Sequence, residues 1–136
     1  MSTVDDLVTW LRARLDEREF KAKGALPGPW GVEEYTYETV VATGGGQVVA
    51  TVEGLRDGWH IADNDPKFVL ADIAAKRRKI DWCLEVIGDR DLSRYGEFGA
   101  LKDDPDALAV TLAVETLKLL ALPFSDRPGY LDTWRP

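Results

Sequence analysis

Three consecutive glycines, Gly44-Gly45-Gly46, separate two β-branched runs, Thr39–Thr43 and Gln47–Val52. A chain reverses most tightly where its residues can adopt positive φ, and glycine does so without steric cost. The block therefore predicts a β-hairpin. Trp30–Tyr37, aromatic and β-branched, predicts a further strand just before it. A three-stranded meander is too small to be stable alone, so helices must cover one of its faces.

The flanking sequence supplies those helices. Val4, Leu7, Val8, Leu11, Leu15 and Ala22 recur at helical spacing, with Ser2 or Thr3 as cap and Asp5 and Asp6 in the first turn. Trp10 and Phe20 fall off that stripe, and Gly24, Pro27, Gly28 and Pro29 end the helix. Residues 54–64 read as a loop holding at most a short helical turn at Trp59-His60-Ile61. Asp65-Pro66 places a cap before a proline at the first helical position, and the second helix runs on to Ile87, with Gly88 after it. That helix carries two apolar stripes, one through Val69, Ile73, Ile80 and Leu84 and one through Phe68, Ala75 and Trp82. Residues 89–102 read as a loop. Asp104-Pro105 repeats the start signal for a third helix, over about residues 105–122. Its apolar residues cover most of its circumference, so it is expected to be the most buried element. Phe124, Tyr130, Leu131 and Trp134 make the tail too aromatic for a disordered one. The expectation is an α+β fold: three main helices packed on a small antiparallel β-meander, with an ordered aromatic C-terminal tail.

At 136 residues the chain is expected to form one domain, residues 1–136. A formal net charge of -7 argues against generic binding to a nucleic-acid backbone. One cysteine, Cys83, leaves no internal disulfide and no multi-cysteine metal site. The acidic start lacks the pattern of a signal peptide, and no apolar run is expected to reach the length a bilayer needs. A cytoplasmic location without membrane contact is the expectation.

Three segments carry a resemblance. They are Val4-Asp5-Asp6-Leu7-Val8 with Leu11 to Glu17, His60-Ile61-Ala62 with Asp65-Pro66 and Ala74 to Arg78, and Leu119 to Phe124 with the closing Trp134-Arg135-Pro136. With Gly28-Pro29-Trp30 between them, the chain resembles a family of short proteins from actinobacteria and their phages, a domain of unknown function. The resemblance implies an actinobacterial or phage source and assigns no catalytic residue.

The candidate chemistry is sparse. His60 is the sole histidine, and with Asp63 and Asp65 it gives one nitrogen and two carboxylates, a poor set for a transition metal. Turn and cap roles account for the two aspartates. A Cys83–His60 nucleophile pair is disfavoured because Cys83 sits mid-helix beside Trp82 and Leu84. The triglycine lacks the Gly-Lys-Ser/Thr of a phosphate loop. In the basic run 76–79, Arg77 alone falls inside an apolar stripe, where it should snorkel or pair. No catalytic residue, metal or cofactor is assigned. Five tryptophans leave Trp30, Trp59 and Trp134 as the best aromatic pocket, with His60 and Arg77 as further binding candidates. The leading expectation is a non-enzymatic domain that binds another protein or its own copy. A homodimer through Phe68, Ala75 and Trp82 is the specific form of that expectation. A small-molecule binder using the aromatic pocket, and a small enzyme using His60 and nearby carboxylates, are the alternatives. An exposed Trp10 would favour the protein-binding reading.

Overall fold

The computed structural model describes residues 3–94 and 104–136. Its elements are α1 (Val4–Gly24), β1 (Trp30–Glu34), β2 (Thr39–Thr43), β3 (Val48–Val52), α2 (Leu55–Asp63), α3 (Pro66–Ile87) and α4 (Ala107–Ala121). The fold is α+β, with four helices and one antiparallel three-stranded sheet among the described residues. By internal contacts the chain divides into two compact units, residues 15–74 and residues 1–14 with 75–136.

The unit of residues 15–74 holds the sheet, in the order β1-β2-β3. Central β2 is the strand that both neighbours cover, and Val40, Val41 and Ala42 are buried in it. The glycine turn closes as expected: the Gly46 amide donates to the Thr43 carbonyl at 2.9 Å, with Gly46 at φ 87°. Pairing slips by one residue where Ala42 meets Val48, a bulge in β3. β1 stops at Glu34 because the chain bends at residues 36 and 37, and the Tyr35 amide closes the hairpin by donating to the Glu38 carbonyl at 2.8 Å.

Residues 55–63 form a full helix, α2, where the sequence predicts a loop with a helical turn. Gly58 hides that helix from propensity, since glycine weakens helix interiors. The structure shows why glycine stands there. A Cβ on Gly58 would lie 3.2 Å from both methyls of Val32 and 3.4 Å from Val52, so α2 approaches the sheet face at backbone distance.

Asp65 ties the start of α3 to the start of β1. One carboxylate oxygen accepts the Phe68 amide at 2.8 Å, and the other accepts the Trp30 amide at 2.8 Å. The side chain is buried, so both bonds lie away from water. Gly28 lets the chain pass: a Cβ there would sit 2.8 Å from the Asp65 carboxylate.

The second unit joins the first half of α1 to the rest of α3, α4 and the tail. Thr3 caps α1 reciprocally, its hydroxyl accepting the Asp6 amide at 3.1 Å while Asp6 accepts the Thr3 amide at 3.0 Å. Leu7, Leu11, Ile80, Val110 and Leu117 are among its most buried side chains. α3 ends at Gly88, whose φ of 55° and amide bond to the Leu84 carbonyl at 2.9 Å close the last turn. Arg90 then bonds Asp104 at 3.1 Å and Asp106 at 3.0 Å while donating to the Val86 and Ile87 carbonyls, which fixes both ends of the segment between α3 and α4. Most of the expected 89–102 loop lies outside the described residues. α4 begins at Ala107, two residues later than Asp104-Pro105 suggests, because Asp104 accepts the Asp106 amide at 2.8 Å and holds that turn open.

The tail returns onto α1. Trp10, Tyr130 and Trp134 pack with ring centroids 5.5–5.7 Å apart. The Trp10 indole donates to the Pro128 carbonyl at 3.1 Å. Arg14 stacks on Trp10 at 5.0 Å and Arg135 on Tyr130 at 5.5 Å.

Candidate interaction surface

The residues singled out for binding are held in different ways. Trp30 is half-buried, and its indole donates to the Leu26 carbonyl at 2.9 Å. Trp59 and His60 are exposed on α2 in the same unit, and the His60 carbonyl accepts the Asn64 side-chain amide at 2.8 Å. Trp134, only 6% exposed, belongs to the other unit and is gathered with Trp10 and Tyr130. The ring partners that the structure gives Trp134 are thus not Trp30 and Trp59. Trp10 is covered by the tail, so the exposed tryptophan that would favour protein binding is not at that position. Arg77 is half-buried and partnered.

Asp63 is exposed, and Asp65 is occupied by the two backbone amides. Among the described residues no group of three or more His, Cys, Asp or Glu could hold a metal ion. Cys83 is buried, and desolvation raises its thiol above the ordinary value, away from the thiolate that nucleophilic work requires.

The unexpected feature is α4. Ala107, Val110, Ala113, Leu117 and Ala121 form its buried side. At 100° per residue, Leu108, Leu112 and Leu119 fall within about 40° of one another on the opposite side. They are 71%, 57% and 56% exposed. The expectation that this helix would be the most buried element is corrected accordingly. The inward side is built largely of alanines, which allow close packing, while the larger leucines face out. Glu115 shares the leucine side and pairs with Lys118 at 3.4 Å. Apolar coverage around the whole helix conceals this split between a small-residue face and a leucine face.

α4 also corrects the expectation about apolar length. Among the described residues, Ala107–Phe124 is long and apolar enough, by length and composition, to cross a membrane. The turn Leu122–Phe124 extends the helix to 18 residues, and its two charges are the paired Glu115 and Lys118.

The expected interface stripe of α3 is open along that helix. Phe68 is 54% exposed, Trp82 is 57% exposed, and Ala75 between them is exposed. Arg78 stacks on Trp82 at 5.3 Å.

The profile of a family of unknown function (DUF6221) matches residues 4–136. No curated protein and no solved structure matches the chain.

Proposed function

We propose that this chain, which belongs to a family of unknown function, DUF6221, is a non-enzymatic protein-interaction domain whose docking face is the leucine side of α4. The observation that carries this reading is the exposure of Leu108, Leu112 and Leu119 on one side of a helix whose other side is already buried. Burying a fully exposed leucine contributes about 1.5–3 kcal/mol, and docking would gain the share of that set by the part of each side chain still exposed. Three of them aligned on one helix face suit an apolar groove or an amphipathic helix of another protein. The net charge of -7 favours a partner whose apolar site has a basic rim, because unlike charges steer the encounter.

The test is affinity capture from the source organism with the wild-type chain and with a Leu112→Glu/Leu119→Glu variant. A partner retained by the wild type and lost by the variant supports the reading. Identical captured sets from both exclude the leucine face. The length of Ala107–Phe124 favours one competing reading, insertion of the same leucines into lipid. Co-sedimentation with vesicles that the variant abolishes would replace protein docking by membrane binding.

A further inference from the structure

We infer that α3 is also a self-association face, on which a second copy of this chain packs its own α3 antiparallel across a two-fold axis at Ala75. The occupant follows from the residues along the helix. Phe68, Ala75 and Trp82 recur every seven residues, so they stay nearly in line along one side. Antiparallel pairing about Ala75 sets Phe68 of each copy against Trp82 of the other, an aromatic pair whose members are more than half exposed in the single chain. Ala75, the smallest of the three, sits at the crossing point and lets the two backbones approach closely.

The charges on either side of this stripe fit the same arrangement. A two-fold axis perpendicular to the helix brings each flank of α3 against the same flank of its copy, run in the opposite direction. On one flank Asp72 of one copy falls about 1.5 Å along the axis from Lys79 of the other. On the other flank Glu85 falls about 3 Å along the axis from Lys67, within reach of a lysine side chain. Two copies with a net charge of -7 each would otherwise repel, but here each of these carboxylates faces an ammonium. Lys67 and Glu85 lie about 27 Å apart along their own helix, at 1.5 Å per residue, so they cannot pair within one chain.

This interface is separate from the α4 face, and the test distinguishes them. Light scattering on a size-exclusion column over a range of concentrations should give a mass approaching twice 15.1 kDa for the wild type. Trp82→Glu should return it to the monomer mass, whereas Leu112→Glu/Leu119→Glu should leave the dimer intact. Lys67→Glu and Glu85→Lys should each raise the dissociation constant several-fold. The double charge swap should restore it, since only pairing between copies brings the two positions together. Circular dichroism establishes that each variant folds, and if Trp82→Glu does not, the wild-type mass and the charge swap decide. A monomer at every concentration, a dimer that survives Trp82→Glu, or a double swap no better than the single changes would each overturn the inference.

Discussion

Asp65 carries one role that is legible in the sequence and one that is not. Its capping role is legible, because an aspartate directly before a proline and an apolar helix matches the start signal of a helix at every position. Its bond to the Trp30 amide is not, since nothing local links positions 30 and 65. The two bonds make a strong prediction. Asp65→Ala should cost about 2–4 kcal/mol, the loss of a cap together with a charge-assisted bond to a buried amide. Asp65→Asn, which keeps one oxygen acceptor, should cost visibly less. Gly28→Ala should also destabilise, because its Cβ would meet the same carboxylate at 2.8 Å. Urea midpoints for the three variants test this, and equal midpoints for Asp65→Ala and the wild type would contradict it. Cys83 makes a second prediction at this scale. Folding holds its proton, so its contribution to stability is complete below the ordinary thiol value of 9.0 and is lost as pH rises through the raised folded value. The thiol should therefore react slowly with a disulfide reagent at neutral pH and quickly in denaturant. Fast labelling of the native chain would show that burial does not protect it.

Among the elements, the strongest local signals are the readable ones. The triglycine hairpin, the Asp65-Pro66 start and the Gly88 stop all appear, because each rests on backbone geometry that few residues supply. α2 escapes the sequence because Gly58 answers to the packing of Val32 and Val52 rather than to helix propensity. The burial of α4 escapes it because the inward face uses alanines, which a count of large apolar residues ranks low. The tail follows the expectation that its aromatics pack on the body. Trp134 is buried against Trp10 and Tyr130, and Gly129 is required at φ 90°, where an added Cβ would lie 2.8 Å from the Trp10 indole nitrogen. Trp134→Ala should cost about 3–5 kcal/mol, the usual penalty for emptying a buried aromatic site. Deleting residues 124–136 should cost at least as much, since Phe124 leaves with it. Unchanged denaturant midpoints would mean that the tail contributes nothing to the fold.

For the whole molecule, composition and charge shape expectations about classes of partner and do not say what the chain binds. The fold class is legible from patterning, but the interaction faces depend on which side of each helix is covered. That is a property of packing and not of the helix sequence alone. On the proposed reading the leucine side of α4 is kept for a partner and contributes little to the chain's own stability. The most direct test needs no partner: the equilibrium unfolding free energy of Leu112→Glu/Leu119→Glu beside that of the wild type. Exposed positions away from special contacts change stability by no more than about 0.5 kcal/mol each. The variant should therefore unfold within about 1 kcal/mol of the wild type, with an unchanged dependence on denaturant. A loss of several kcal/mol would show that the chain itself buries those leucines, and the face would not be available to dock anything.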